Sequence, residues 1–435
     1  MSLSGRRHRL CALRRRLRRQ LLARGLVVAA LAATAAAPGA GATVDAGGAQ
    51  ANPLPRTSAA FTQRSYFPGQ VATLKLRTDA TRLLLQVLRA GAERNFNRIG
   101  KAWGPPWRVR WRSTGRSAPL AVTMGNWESG LYFLRITTNR KEVTYAPFII
   151  RSPAPGVASR VAVVLATHTW AAYNHWDANA DGTGDTWYAN QRIKAVDLQR
   201  PFLNQGKPPY YRTYDRGFLR FLVQKGHKAD YISDEDLDTY VSGEQLAQLY
   251  DLIVFHGHHE YQTWRSFDLV ERYRDLGGNL AFLSANNFFW RVELKNNKIW
   301  RIKKFRDYGR PEARLVGVQY RANDRGGRAQ PYVVTNRDGA PWLFAGLPFT
   351  NGQTLGTARY GIEFDMITPD SPPGTTVVAE VNPGLPDPSI RGQMAYYETP
   401  TGAKVFAAGT LGFGGSSNPV GDVMFVNLWA RLVRP

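Results

Sequence analysis

Short apolar segments alternate with amphipathic ones between residues 160 and 284, and this alternation restricts the fold more than any other feature of the chain. Arg160–Thr167 is almost entirely apolar, which is typical of a strand covered on both faces of a sheet. Tyr214–Lys225 has the apolar spacing of an amphipathic helix and is followed by Gly226, a common helix stop. Later segments repeat the pattern, with predicted strands at 228–233, 251–255 and 279–284 and predicted helices at 243–250 and 263–276. The alternation predicts an α/β domain built on an open parallel sheet.

Polar side chains are concentrated directly after three of these predicted strands, in the segments 168–176, 256–261 and 284–290. Five of the seven histidines of the chain lie in the first two segments. Ligands of open parallel sheets bind beyond the carboxyl ends of the strands, so we expect the three segments to form one site. The alternative is a chance cluster of surface histidines.

Several classes of enzyme are disfavoured by what these loops do not contain. No strand is followed by a glycine-rich phosphate loop, and no Gly-x-Ser-x-Gly elbow is present, which argues against nucleotide binding and against a serine hydrolase. The single cysteine, Cys11, excludes a disulfide framework, a cysteine-rich zinc site and an iron–sulfur cluster.

The first 42 residues have the features of a bacterial export signal. Nine arginines and no acid precede or flank the apolar run Leu26–Ala37, and Ala-Gly-Ala ending at Ala42 is a small-residue cleavage site. Arg18-Arg19 resembles a twin-arginine signal. We therefore expect a secreted, periplasmic or cell-envelope protein whose mature form has lost Cys11. The alternative, an RNA-binding arginine arm, does not explain the apolar run.

After a linker at 43–55, residues 56–152 change to short alternating segments. Predicted strands at 71–76, 83–88, 107–111, 120–124, 131–136 and 145–150 indicate an immunoglobulin-like β-sandwich. Residues 55–152 contain seventeen Lys and Arg against four acids, a net charge of +13, whereas residues 153–435 are close to neutral. The +24 of the whole chain therefore belongs mainly to the export signal and the sandwich, and a nucleic-acid partner is not expected.

The segment Trp107–Arg112 alternates aromatic or apolar residues with arginines at a period of two. One interpretation is a buried aromatic face with a solvated basic face. The other is a surface that binds an anionic envelope polymer or acidic polysaccharide, because arginine binds carboxylate and phosphate with two hydrogen bonds.

The rest of the predicted α/β domain, which we place at 157–434, is rich in β-structure. Residues 290–305 suggest a β-hairpin, and the Pro- and Gly-rich stretch 310–400 is expected to cover the site. The insertion as a whole spans about 290–400. Gly421–Leu432 has helical apolar spacing and predicts a closing helix.

Several short motifs of this domain resemble the large (β) subunit of N,N-dimethylformamidase, over roughly residues 157–434. They are Trp170-Ala-Ala-Tyr173-Asn174-x-Trp176, Arg-Pro-Phe at 200–202, Asp-Glu-Asp-Leu at 234–237, His258-x-Glu260-Tyr261, Asn286-x-Phe-Phe-Trp290 and Val405-Phe-Ala-Ala-Gly409. The resemblance implies a core similar to class I glutamine amidotransferases, without their cysteine nucleophile. It also implies an amidohydrolase that acts with a small-subunit partner, and it leaves homo-oligomerisation open.

The resemblance further implies a single ferric ion held by two tyrosines and one glutamate. Carried onto this sequence, the glutamate is Glu260, the first tyrosine is Tyr173 and the second is Tyr188, with Tyr211 and Tyr214 as substitutes. The implied catalytic residues are His258 and Glu398, and the implied substrate-binding residues are Asn174 and Asn286.

Such a ligand set has a chemical rationale. Phenolate and carboxylate oxygens are hard, anionic ligands that suit a hard trivalent ion. The expected function is hydrolysis of an amide C–N bond through a metal-activated water, with His258 transferring protons. A zinc ion held by His175, His256 and His258 is the competing site. A non-catalytic envelope or glycan-binding protein that retains the fold is the competing function.

A calcium-loop pattern lies between the two tyrosines. Asp177, Asn179, Asp181, Thr183 and Asp185 follow the alternate spacing of such a loop, and glycine stands at the sharp turn. Tyr188 occupies the position where the usual bidentate glutamate would be. The pattern predicts either a weak calcium site or an Asx-rich turn.

Overall fold

The protein is rich in strands and poor in helices. The structure is a computed structural model that describes residues 54–93, 98–113 and 115–434. The predicted export signal at 1–42 and nearly all of the linker at 43–55 lie outside the described residues. No helix within the described ranges is long and apolar enough to cross a bilayer. Strands are numbered β1 to β23 in chain order below.

Two sheets form the N-terminal part of the described chain and enclose one apolar core. The first has the order β1-β3-β7, and the second has the order β2-β9-β8-β4-β5. The short strand β6 pairs with residues 82–85 of β4. Alternate residues of β3, such as Leu74 and Leu76, are buried between the sheets, and the intervening residues are exposed. The strands are β1 Ser58–Phe61, β2 Ser65–Tyr66, β3 Val71–Arg77, β4 Arg82–Arg89, β5 Lys101–Ala102, β6 Trp107–Arg110, β7 Ala118–Thr123, β8 Gly130–Thr138 and β9 Val143–Ile150.

An eight-stranded sheet forms the centre of the second part. Its order is β12-β10-β13-β15-β23-β22-β21-β19; the first five strands run parallel and the last three extend the sheet antiparallel. Three of the parallel strands, β10, β13 and β15, are buried along their whole length, as expected when helices cover both faces. The strands of the whole sheet are β10 Val161–Leu165, β12 Asp230–Ser233, β13 Leu252–Phe255, β15 Asn279–Phe282, β19 Val333–Val334, β21 Thr376–Val381, β22 Gly392–Glu398 and β23 Lys404–Ala407.

Two smaller sheets lie at the carboxyl edge of the parallel strands. One has the order β11-β17-β16-β14 and the other pairs β18 with β20. Their strands are β11 Ala195–Asp197, β14 Tyr261–Thr263, β16 Trp290–Lys295, β17 Lys298–Lys304, β18 Gln319–Asn323 and β20 Glu363–Met366. The predicted hairpin is thus confirmed as β16 and β17, and the stretch 310–400 contributes a strand, β20, to the edge where the polar loops lie.

The helices connect and cover the strands. They are Thr167–Ala172, Arg216–Lys225, Asp234–Leu237, Gly243–Leu249, Trp264–Asp275, Ala313–Val316 and Pro419–Leu432, with 3-10 turns at Phe305–Tyr308, Arg337–Gly339 and Pro341–Phe344. A π-helical turn, Tyr211–Asp215, precedes the helix Arg216–Lys225, so the predicted helix 214–225 begins two residues later than expected. Helix Arg216–Lys225 ends where Gly226 adopts a left-handed φ of 70°.

The outer face of the sandwich packs against the second part of the chain. Leu131 and Phe133 of β8 share a core with Phe218 and Leu219 of the helix Arg216–Lys225. Arg151 forms a 2.8 Å ion pair with Asp236, which also accepts the Ser65 hydroxyl at 2.7 Å. The Asp-Glu-Asp-Leu motif therefore fastens the two parts together.

The predicted strands of both parts are confirmed to within a few residues, and the apolar face of the segment 107–112 is only partly buried. Val109 of β6 and Trp111 just after this strand pack partly against the sandwich core, whereas Trp107 is 38% exposed. In the pairing of this strand with β4, Trp107 lies opposite Leu85 and Val109 lies opposite Leu83.

Candidate functional site

The three polar loops meet at the carboxyl edge of the parallel sheet. Tyr173 is the first residue after the helix that follows β10; His258 and Glu260 lie between β13 and β14; Asn286 follows β15. Since β10, β13 and β15 are neighbouring parallel strands, their carboxyl ends emerge side by side. The loops also contact directly, because the Glu260 backbone N–H donates a 3.1 Å hydrogen bond to Thr169 Oγ1.

Two tyrosine hydroxyls converge on one carboxylate oxygen. The hydroxyls of Tyr173 and Tyr188 each donate a 2.9 Å hydrogen bond to Glu260 Oε2. The two phenol rings lie 4.5 Å apart, and the Tyr261 hydroxyl is 2.7 Å from that of Tyr188. Glu260 is only 4% exposed. The structure therefore brings together the three residues named as iron ligands.

The surroundings of these oxygens fit a cation. Burial, and then the negative charge of Glu260, raise the pKa of both Tyr173 and Tyr188 well above the ordinary value of a phenol. Phenolates at these positions would therefore need a strong positive charge to compensate them. Two phenol oxygens and a carboxylate suit a hard trivalent ion such as Fe3+.

Histidine, cysteine and carboxylate side chains alone do not form a metal centre in the described residues. The zinc alternative required His175, His256 and His258 to converge. His256 Nδ1 instead lies 3.2 Å from the Val164 carbonyl oxygen, and His175 lines an outer cleft. The three histidines therefore have separate environments.

His258 lies beside the tyrosine–glutamate cluster. Its Nδ1 donates to the Ala285 carbonyl oxygen at 3.1 Å, which leaves Nε2 facing the site, 3.2 Å from the Tyr173 hydroxyl and 3.3 Å from Glu260 Oε2. Burial by itself lowers the pKa of His258, but the nearby carboxylates of Glu363 and Glu260 outweigh burial and raise it to about 9. The imidazole therefore tends to hold a proton on Nε2.

Glu363, the second carboxylate beside His258, was missed by the sequence analysis. It is the first residue of β20, and its Oε2 lies 3.5 Å from His258 Nε2 with no hydrogen-bond partner among the described residues. Burial and the charge of Glu260 raise its pKa to about 7, against the opposing effect of His258. Its sequence signal was the pattern Glu363-Phe-Asp365, in which acids alternate with an aromatic residue in an apolar segment.

Asn286 lies at the same edge, as expected of a substrate-side residue. It adopts a left-handed φ of 53°, and its backbone N–H donates to the buried carboxyl of Asp365 at 2.8 and 3.0 Å. Its side-chain Oδ1 is buried without a hydrogen-bond partner among the described residues. Buried polar atoms are rarely left unpaired, so Asn286 Oδ1 and Glu363 Oε2 are suitable contacts for a bound molecule.

The Arg-Pro-Phe motif and Asn174 hold the Tyr173 loop in place. The guanidinium of Arg200 donates to the carbonyl oxygens of Ala171, Trp176 and Asp185 at 3.0, 3.2 and 2.6 Å. The Asn174 side chain donates to the Pro201 carbonyl and accepts from the Leu203 backbone N–H. Both polar atoms of the Asn174 side chain are thus hydrogen-bonded to the backbone. These contacts favour a positioning role over the predicted substrate contact.

Glu398 is not at the site. It ends β22, its Oε1 accepts from Arg431 at 2.7 Å, and its side chain is 43% exposed. β22 is antiparallel to the parallel strands, so its last residue lies away from their carboxyl ends. No contact of Glu398 with another site residue supports its predicted catalytic role.

The two substitute tyrosines have different surroundings. Tyr214 faces the site, with its ring 6.1 Å from that of His258. Tyr211 is turned toward the sandwich, where its ring lies 5.2 Å from that of Phe133. Tyr214 therefore remains an alternative to Tyr188, and Tyr211 does not reach the site.

The acidic loop at 177–185 makes its hydrogen bonds internally. Asp177 accepts from the backbone N–H groups of Asp181 and Gly182 at 3.2 and 2.9 Å, and Asp185 accepts from that of Ala178 at 2.7 Å. The Asn179 amide donates to Asp181 at 2.9 Å. These contacts are those of an Asx-rich turn, and calcium binding stays a prediction.

An open cleft of about 850 Å³ reaches the cluster from outside. Tyr173 lines it, and the segment 203–213 forms much of its wall. A second, small cavity is lined by Tyr173, Tyr210, Tyr214 and His258. Because Tyr173 lines both spaces, a ligand in the cleft would contact the cluster through Tyr173.

Comparison with known proteins identifies the family. The family model described as "N,N-dimethylformamidase beta subunit-like, C-terminal" matches residues 104–418. The chain belongs to this family. The match includes every residue of the cluster and also part of the sandwich, and it confirms the resemblance deduced from the sequence motifs.

Two curated relatives carry the name N,N-dimethylformamidase beta subunit. That of Alcaligenes sp is 25% identical over 297 residues, which are 55% of this chain and 38% of the relative. That of Paracoccus aminophilus is 22% identical over 383 residues, which are 66% of this chain and 50% of the relative. The chain thus spans half or less of the length of these relatives.

Among solved structures, a superoxide reductase (neelaredoxin) from Ignicoccus hospitalis matches 22% of this chain and 80% of its own, with 14% identity and a TM-score of 0.15. A similarity at this level has no bearing on the fold or the site.

Proposed function

We propose that this chain is an exported, metal-dependent amidohydrolase of the dimethylformamidase type that hydrolyses an amide C–N bond. In this proposal residues 1–42 are an export signal, residues 56–152 an immunoglobulin-like sandwich, and residues 157–434 a domain similar to class I glutamine amidotransferases. The observation that carries the proposal is the convergence of the Tyr173 and Tyr188 hydroxyls on one oxygen of Glu260, with His258 beside them.

The ligand set of the proposed site is Tyr173, Tyr188 and Glu260, with a ferric ion as cofactor. When bound there, the ion would supply Lewis acidity toward an amide carbonyl and toward water. The protein residues would fix these oxygens in place: Arg200 holds the Tyr173 loop, and Thr169 holds the backbone of Glu260.

Proton transfer is assigned to His258 and Glu363. In the hydrolysis, the oxygen of water bonds to the carbonyl carbon, the C–N bond breaks, and the nitrogen leaves with an added proton. The carboxylates keep His258 Nε2 protonated, so this group can donate to the departing nitrogen. Glu363, 3.5 Å away, can accept the proton that water loses and return it to His258.

Iron analysis of the purified protein tests the proposal. We expect close to one iron per chain and a visible absorption band from tyrosinate-to-iron charge transfer. Tyr173→Phe should lose the band and the bound iron, whereas Tyr308→Phe, at a half-exposed tyrosine outside the site, should keep both. Comparing Tyr188→Phe with Tyr214→Phe would identify the second ligand, which we expect to be Tyr188.

Colourless protein that binds no iron when it is expressed or refolded with iron would overturn the proposed cofactor. An iron-loaded protein that releases no amine from formamides or N-acyl amines would overturn the proposed reaction. The two measurements are separate, so the metal and the reaction are judged independently.

The exposed edge of the sandwich favours a second candidate function, binding of an anionic envelope polymer. Arg82 of β4 lies opposite Arg110 of β6, and Leu84 lies opposite Arg108. Like charges directly opposite each other destabilise a sheet, and none of these three arginines forms an ion pair with a described residue. An acidic polysaccharide would neutralise them.

Retention of the full chain on an alginate matrix tests this second function. We expect retention that salt reverses, and that Arg108→Gln with Arg110→Gln weakens. Equal retention on a neutral dextran matrix, or no effect of the two substitutions, would contradict it.

A further inference from the structure

The cleft in front of Tyr173 is larger than a small amide requires. Its volume of about 850 Å³ is within the range of sites for drug-sized ligands, roughly 300–1,000 Å³. Dimethylformamide, the molecule in the names of the relatives, has only a few non-hydrogen atoms. The cleft can therefore hold a substrate with substantial groups on either side of the scissile bond.

The wall of the cleft is positively charged. Lys207 and Arg212 line it, and no Asp or Glu is present among the described lining residues. The Lys207 ammonium donates to the neutral amide of Gln205 at 3.0 Å. Burial, and then the charge of Arg212, lower the pKa of Lys207, which is consistent with two cations close together. Because the hydrogen-bond partner of Lys207 is a neutral amide, an anionic group of a ligand could pair with this ammonium.

The cleft also offers an aromatic surface. Tyr210 is 53% exposed and has a left-handed φ of 56°, a backbone conformation that is uncommon for a bulky residue. Its ring lies 5.9 Å from that of Tyr173 and 5.2 Å from that of Tyr214. Pro208 and Pro209 line the cleft beside it. An apolar or aromatic group of a ligand could pack here, next to Tyr173.

The net positive charge of the sandwich also favours an anionic ligand. Residues 55–152 have a net charge of +13, and Ile99 of this region lines the cleft. A strongly basic region beside a cleft raises the local concentration of anions and their rate of association.

We propose that the substrate is an anionic amide, one that carries a carboxylate close to Lys207 and an apolar or aromatic group against Tyr210. N-acyl amino acids belong to this chemical class. The inference rests on the amidohydrolase function proposed above. In the reaction the amide C–N bond breaks, water supplies the oxygen bonded to the acyl carbon, and the amine takes a proton; the carboxylate is unchanged.

A pair of amides that differ only in the carboxylate tests the inference. We would compare kcat/KM of the iron-loaded protein for N-formyl-L-phenylalanine and for N-formyl-2-phenylethylamine. The anionic amide should be preferred by about tenfold, which is typical of a hydrogen bond to a charged group. Lys207→Gln should remove most of this preference by raising KM while leaving kcat close to that of the wild type. Lys298→Gln, at an exposed lysine of the hairpin, is the matched control and should keep the preference.

Equal kcat/KM for the two amides, or a preference that Lys207→Gln does not reduce, would overturn the inference. Calorimetric binding of the same two amides separates it from the proposed function. If neither amide is hydrolysed but the anionic one binds about tenfold more tightly through Lys207, the reaction is wrong and the anionic ligand class stands. If neither is hydrolysed and the two bind equally or not at all, both proposals fail.

Discussion

His256 and His258 follow the same strand, are both fully buried, and have opposite electrostatic environments. The pKa of His258 is raised to about 9, because the carboxylates of Glu363 and Glu260 outweigh burial. The pKa of His256 is lowered to about 3 by burial and by the nearby His259. Position in the sequence therefore does not decide the charge of a histidine; the number of ionised carboxylates that it faces does.

The acid beside His256 also differs from the carboxylates beside His258. His256 Nε2 lies 3.4 Å from Asp215 Oδ1, and burial raises the pKa of Asp215 to about 8. His256 Nδ1 faces the Val164 carbonyl and carries the proton, so Nε2 has no proton to donate, and the neutral carboxyl of Asp215 lies beside it with no hydrogen bond between the two. Gly257 permits this approach, because a Cβ there would lie 2.3 Å from Asp215 Oδ1. One histidine is thus part of a charged site and the other of a neutral structural pair.

Replacing each histidine by asparagine should separate the two roles and gives the largest expected effect. His258→Asn should lower kcat/KM by about 10²–10⁴-fold, the usual contribution of a general acid or base, with little change in Tm. His256→Asn should instead lower the free energy of unfolding by about 1–3 kcal/mol, because buried polar groups lose partners, and should keep most of the activity. Amide hydrolysis and thermal unfolding of both variants check this; equal loss of activity would contradict the comparison.

Removing one of the carboxylates that face His258 should reduce the difference in pKa between the two histidines. In the metal-free protein we expect Glu363→Gln to lower the pKa of His258 from about 9, because the negative charge of Glu363, which raises that pKa, is lost. His256 should remain neutral in both proteins down to a pH near its pKa of about 3. NMR titration of the imidazole protons measures both values. An unchanged pKa of His258 would mean that Glu363 is not ionised beside it.

The third prediction concerns the pH dependence of stability through Asp215. Its pKa is about 8 in the folded chain and about 3.9 when unfolded, so between these values the folded state holds a proton that the unfolded state has released. Stability should therefore fall as pH rises from about 4 to 8, by at most about 1.4 kcal/mol per pH unit from this residue.

Asp215→Asn tests this pH dependence, because it keeps a donor toward His256 and an acceptor for the Trp170 indole N–H, which lies 3.3 Å from Asp215 Oδ2. The variant should flatten the fall in urea-unfolding free energy between pH 5 and 8. A slope identical to that of the wild type would show that Asp215 is ionised in the folded state.

The comparison also shows what the sequence could predict. The parallel strands were predictable because their apolar runs are continuous, and the meeting of Tyr173 with Glu260 followed from their places after neighbouring strands. The neutral state of His256 was not, since it depends on burial and on His259 in the folded chain, and its neighbour Asp215 is 41 residues away at the end of a π-helical turn. Sequence spacing does not encode such a contact.

Glu363 and Glu398 illustrate the same limit for carboxylates. Glu398 was implied by the family resemblance, but it ends an antiparallel strand and pairs with Arg431 at the surface. Glu363 lay in a Pro- and Gly-rich stretch without clear periodicity. It reaches the site because β20 pairs with β18 and Phe364 bridges to Thr410 just beyond β23. Long-range pairings of short strands decided which acid faces His258.

The smallest expected effect concerns a third acidic environment, the loop at 177–185. Its carboxylates already accept hydrogen bonds from the loop's own backbone, so calcium would replace existing contacts rather than complete an unsatisfied site. If the loop binds calcium with the affinity typical of extracellular sites, 1 mM calcium would raise the free energy of unfolding by about 0.4–1.4 kcal/mol. Asp181→Asn should abolish this rise in Tm, and the iron band should persist in both proteins, because Tyr188 is fixed by Glu260 and Tyr261. An equal rise in Asp181→Asn, or no rise in the wild type, would show that the loop is an Asx-rich turn whose acids need no ion.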